Sequence, residues 1–157
     1  MKKILFAFIL LIAFATQAFA TAGSCTESVN SRDDSVVVVE FACTCDSTNG
    51  TLPTQTFSDS AMSQIKWTHF LYSVTAYPTS GGTAPDAADV AILMNGQDLL
   101  GTKGVNLIHA TATYDVFPYS AFMSRDRFPT IISTLTWTLA NQATNSANFT
   151  VKYVFWR

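Results

Sequence analysis

The sequence predicts an all-β protein: an antiparallel β-sandwich, jelly-roll-like, with six to seven strands. Three observations predict it. Short stretches alternate apolar and polar residues with a period of two, the mark of a strand with one face buried. Turn signals rich in Asn, Gly, Pro and Ser separate these stretches, and almost no run has helical periodicity. Threonine occurs 20 times from Thr21 onward, more often than any charged residue, and hydroxyls on β-branched stems suit exposed strand faces.

Thr21 to Asp34 is polar and reads as an N-terminal arm, leaving 35–157 as a single sandwich domain. Val36 to Cys45 is a β-branched run bounded by polar turns, hence the first strand. Asp46 to Ser63 contains Asn49-Gly50 and Pro53 and reads as a long loop, with a helical turn near Asp59 to Gln64. Ile65 to Tyr77 is strand-like, with Phe70, Tyr72, Val74 and Ala76 expected on one face, and Pro78 to Pro85 forms a flexible connection. Val90 to Met94 and Gln97 to Gly101 flank Asn95-Gly96, the strongest hairpin signal in the chain. Ile108 to Val116 alternates again until Pro118 stops it. In Leu135 to Leu139 the large apolar residues face one way and the threonines the other, and Phe149 to Phe155 behaves likewise. With Ala140 to Ala147 between them, these two runs read as a half-buried antiparallel pair.

The first twenty residues read as a signal peptide. Lys2 and Lys3 form a positive n-region, Ile4 to Ala15 an apolar h-region, and Ala18-Phe19-Ala20 a small-x-small cleavage site. Thr16 and Gln17 interrupt the apolar run before the roughly 20 residues a membrane span needs. A lipoprotein signal requires a large aliphatic residue three before its cysteine, and Ala22 stands there relative to Cys25. An exported chain beginning at Thr21 is therefore expected, with no stable membrane span once the signal is cleaved. Without Lys2 and Lys3, seven basic residues face eleven acidic ones. Nucleic acid, whose binding rests on neutralising phosphates, is not an expected partner.

Three cysteines allow one intramolecular disulfide and leave one thiol over. Cys43 and Cys45 lie two apart on a strand and share a face, so Cys25 is expected to pair with one or the other and staple the arm to the first strand. Four zinc ligands are not in sight, and no metal or cofactor is expected. His109, Ser120 and Asp115 assemble a hydrolase triad only on paper, because no nucleophile elbow accompanies them. His69, between Trp67 and Phe70, reads as a partly buried structural imidazole. Asp86, Asp89, Asp98, Asp115 and Asp126 are too scattered for spacing to make a carboxylate pair. No catalytic residue is assigned and the chain is expected not to be an enzyme. Trp137 shares the apolar face of its strand and belongs in the core. Alternation places Val154 and Trp156 on the outer face of the last strand, and these two are the interface candidates. If that strand lies at a sheet edge, its backbone also offers hydrogen bonds to another chain.

Asp89-Val-Ala-Ile-Leu-Met-Asn-Gly-Gln-Asp-Leu-Leu-Gly101, followed by Gly104, Asn106 and the threonine-rich Ala110 to Val116, carries a resemblance. So does the ending from Leu135-Thr-Trp-Thr-Leu to Phe149-Thr-Val-Lys-Tyr-Val-Phe-Trp-Arg157. Over Ile65 to Arg157 the chain resembles small β-sandwich proteins encoded among the structural genes of tailed phages and prophages. The resemblance implies a virion structural or decoration protein that works through contacts with protein subunits, as a homo-oligomer or in a larger assembly. It supplies no catalytic residues. The departures are the export signal and the cysteines. The other expectation is a secreted carbohydrate-binding module, in which exposed aromatic rings would stack on a glycan.

Overall fold

A computed structural model describes residues 22–33, 35–118 and 129–157. The proposed signal peptide, Asp34, Ser120 and Asp126 lie outside them. In chain order the elements are β1 (Ser24–Asp33), β2 (Val36–Thr44), β3 (Gln55–Thr56), α1 (Asp59–Ile65), β4 (Phe70–Pro78), β5 (Asp89–Met94) and β6 (Gln97–Asp98). A 3-10 turn at Gly101–Gly104 follows, then β7 (Tyr114–Val116), β8 (Leu135–Ala140) and β9 (Asn148–Trp156). Two antiparallel sheets result, ordered β1-β2-β9-β4-β7 and β3-β8-β5-β6.

The wrapping follows from one turn. Asn95 and Gly96 both have positive φ, 51° and 76°, and fold β6 back on β5 with Met94 opposite Gln97. Outward from this hairpin the pairs nest: β5 with β6, β4 with β7, β3 with β8, β2 with β9. The chain is thus one antiparallel ribbon, rolled so that β9 also meets β4 and β8 also meets β5. That is a jelly roll of eight strands with β1 added outside β2.

Among the described residues there are nine strands rather than the six to seven expected. The segment read as an arm contains β1, paired with β2 from Ser24↔Thr44 to Asp33↔Val36. Its inward positions include only two apolar side chains, Cys25 and Val29, so the strand lacks a visible hydrophobic stripe. The other addition, β3, has two residues and no pattern to read. Two expected strands are shorter. Ile65 ends α1, and Trp67 adopts φ 69°, a turn conformation that cannot continue into a strand. Of Ile108 to Val116 only Tyr114–Val116 is strand, with Ile108 bridging Ala88.

The ending also differs from its reading. β8 and β9 do not pair; they belong to opposite sheets. Their apolar faces look at each other across the core, where the rings of Trp137 and Tyr153 lie 6.4 Å apart. A connection of seven residues, with positive φ at Asn141 and Ser146, carries the chain from one layer to the other. The alternation in each run holds, but alternation does not say which strand is the neighbour.

Between the layers, Phe41, Phe57, Trp137, Tyr153 and Phe155 form an aromatic core with ring centroids 5.1–6.4 Å apart. The four-stranded sheet stops at the two-residue β3, and α1 fills in beside it with Ala61, Met62 and Ile65 buried. Ser58 caps α1 by accepting from the Ala61 N–H. The Glu27 carboxylate on β1 in turn accepts from the Ser58 N–H at 2.9 Å and its hydroxyl at 2.6 Å, tying helix to edge strand.

Candidate functional site

The cysteines resolve first. Cys25 and Cys43 are direct partners in the β1–β2 register and form a disulfide, so the staple expected from the sequence exists and its partner is Cys43. Such a bond fits an oxidising, non-cytoplasmic setting. Cys45 is free and buried. Burial, with Asp86 and Asp46 adding to it, pushes its thiol up to about 11, so it is protonated and unreactive at neutral pH.

The polar candidates are spent on the fold. Asp86 accepts from the Ala143 N–H, Asp98 from the N–H groups of Ile92 and Leu100, and Asp115 from the Thr75 hydroxyl. Asp89 accepts from the Asn106 N–H and the Asn141 amide. Each holds a loop or a strand end, Asp86 and Asp89 both on the connection between β8 and β9, at Ala143 and Asn141. His109 accepts at Nδ1 from the Thr111 N–H and lies edge-on to Tyr114, beside a hollow of about 450 Å³ that Lys103 and Val105 also line. The paper triad is not assembled among the described residues, since His109 and Asp115 are engaged with other groups and Ser120 is outside them. No cluster of three or more His, Cys, Asp or Glu suited to a metal occurs among the described residues. Nor is any helix there long and apolar enough to cross a membrane.

His69 is only 4% exposed, between α1 and β4. Its Nδ1 lies 2.8 Å from the Thr68 hydroxyl, while Nε2 has no hydrogen-bond partner among the described residues. Burial, helped by the Arg157 charge, holds its pKa below the usual histidine value. It is therefore neutral in the fold, whereas the unfolded chain takes up a proton near pH 6.5. Stability from this group is complete above that value and is lost as pH falls through it toward the folded pKa. Urea unfolding should accordingly show stability falling between pH 7 and pH 5, by less than about 1.4 kcal/mol per unit. His69→Gln should flatten that decline; an unchanged decline would mean the imidazole is not the group responsible.

What remains is a surface. β9 is the middle strand of the five-stranded sheet, between β2 and β4, so the expectation of a C-terminal edge is corrected: its backbone is paired on both sides. Its side chains divide as expected. Phe149, Val151, Tyr153 and Phe155 are fully buried, Val154 is half-buried on the outer face, and Trp156 is 46% exposed. Trp156 lies opposite Val36 on one side and Phe70 on the other, and Val154 opposite Val38 and Ser73.

Alternation alone does not reveal the partners of Trp156, because it sets Phe70 and Tyr72 on the same face as Val74 and Ala76. A β-bulge between Leu71 and Ser73 inserts one residue, reversing the parity: Val74 and Ala76 face the core while Phe70 and Tyr72 turn outward. Trp156 meets Tyr72 at 5.5 Å and Phe70 at 6.0 Å, and Tyr72 meets Phe117, itself exposed, at 5.5 Å. The result is an aromatic cluster built on three adjacent strands' end of the sheet, with Val154 beside it. No signal in the sequence marks the bulge.

No family model matches the chain, no curated protein matches it, and no solved structure matches it.

Proposed function

We propose that the protein is a non-enzymatic structural or decoration component of a virion or other extracellular assembly, acting through protein–protein contacts on the outer face of its larger sheet. The observation that carries this reading is Trp156, which stays 46% exposed although it is packed against Phe70 and Tyr72 on a fully paired central strand. An exposed tryptophan on a rigid support is the kind of residue on which binding energy concentrates. The jelly roll supports the reading by fold analogy alone, since capsid and lectin domains both use it. The resemblance of Ile65 to Arg157 to phage structural proteins points the same way.

The second reading, an exported carbohydrate-binding module, draws on the same rings. Their orientation favours protein. A sugar platform needs ring faces turned to solvent in one plane, whereas Tyr72 stands at 88° to Trp156 and 81° to Phe117. Trp156→Ala should weaken association by about 2 kcal/mol or more, roughly 30-fold, if the tryptophan is an anchor. Its unfolding free energy should change by no more than about 1 kcal/mol, as befits a half-exposed side chain. A stability loss of about 3–5 kcal/mol would make it a core residue, and unchanged association would remove it from any interface. Binding to a glycan array that is lost only in the variant would establish the carbohydrate reading instead.

A further inference from the structure

We propose that two copies of this chain pair antiparallel through β1, joining their five-stranded sheets into one of ten strands. This contact is separate from the aromatic face and stands on the edges of the sheets. Among the described residues three of the four sheet edges are blunt: β7 has three residues, β3 and β6 two each. The fourth, β1, has ten, and from Ser24 to Ser31 it pairs with β2 without a register shift. Proteins commonly protect such an edge with Lys, Pro, a bulge or brevity. In Ser24 to Ser31 there is no Lys and no Pro, and the only irregularity comes later, between Ser31 and Asp33. The single charge there, Glu27, is turned in toward Ser58.

The edge is also held ready to pair. The Cys25–Cys43 bond and the Glu27–Ser58 contacts fix β1 to the body, so adding a strand does not first have to order it. The partner is chosen by self-complementarity. A two-fold axis perpendicular to the sheet at Ser28 sets Ser28 against its own copy and Thr26 against Asn30 of the second copy. All three are exposed on the outer face and neutral, and cross-strand hydroxyl and amide pairs of this type are favourable. In that register Glu27 faces Val29 of the second copy, so no like charges meet.

Sedimentation across a dilution series tests this on the oxidised chain. The wild type should show a reversible dimer. Ser28→Lys and Ser28→Glu should each weaken it at least tenfold, because each sets two like charges against one another. Ser28 is exposed, so near-UV circular dichroism should not change in either variant; because Ser28 lies opposite Glu40 on β2, the Lys variant should keep the unfolding midpoint and the Glu variant should lower it only slightly. An equimolar mixture of the two variants should restore the dimer as a Lys–Glu heterodimer. A wild type that stays monomeric overturns the proposal, as does a mixture of folded variants that fails to pair. So does a dimer that survives both substitutions and is lost in Trp156→Ala, which would place self-association on the aromatic face and leave the proposed function standing.

Discussion

Replacing Trp137 with alanine is expected to lower the unfolding free energy by about 3–5 kcal/mol, the range for truncating a buried tryptophan. The side chain is fully buried and edge-on to Phe41 at 5.6 Å, reaching from the smaller sheet to the larger. Its removal therefore opens a cavity between the layers rather than at one surface. Its indole N–H has no hydrogen-bond partner among the described residues, so the loss is one of packing. Urea unfolding at pH 7 measures the effect. A loss under about 1 kcal/mol would be incompatible with Trp137 as the bridge between sheets.

The second large effect concerns the disulfide. Cys25 and Cys43 enclose a separation of 18 residues, and cross-linking a loop of that size stabilises by about 3 kcal/mol through the unfolded chain. Cys25→Ser with Cys43→Ser should cost roughly that much and should free β1 first, because β1 touches the sheet along one side only. Cys45 reports the state of the protein. In the native wild type it should resist alkylation, being buried with a pKa near 11, and on unfolding without reductant it should become the one reactive thiol. Peptide mapping that joins Cys25 to Cys45 would contradict the strand register.

How much of this was legible in the sequence depends on what each residue touches. The faces of β8 and β9 could be read because one side of each packs on the aromatic core and the other does not, and this period of two survives any choice of neighbour. The Asn95-Gly96 turn could be read because few residue pairs adopt positive φ so readily. β1 could not, since an edge strand covered on part of one face needs few apolar residues. Nor could the pairing of β8 with β3 and β5 rather than β9, which is decided by the rolling of the whole ribbon. For the candidate site, Val154 and Trp156 followed from alternation, and their neighbours did not. Phe70 and Tyr72 reach the outer face because of a bulge, and a bulge is a property of two strands together.

The aromatic face of the larger sheet is expected to be covered when the protein is at work. Oxidative footprinting of the protein in the largest species it forms on native isolation, compared with the dissociated chain, tests this most directly. Trp156 and Phe117 should be protected in the assembled species, while Trp67, 68% exposed on the turn before β4, should oxidise equally in both. Equal oxidation of Trp156 in the two samples, with an assembled species present, would mean that the aromatic face is not the contact surface.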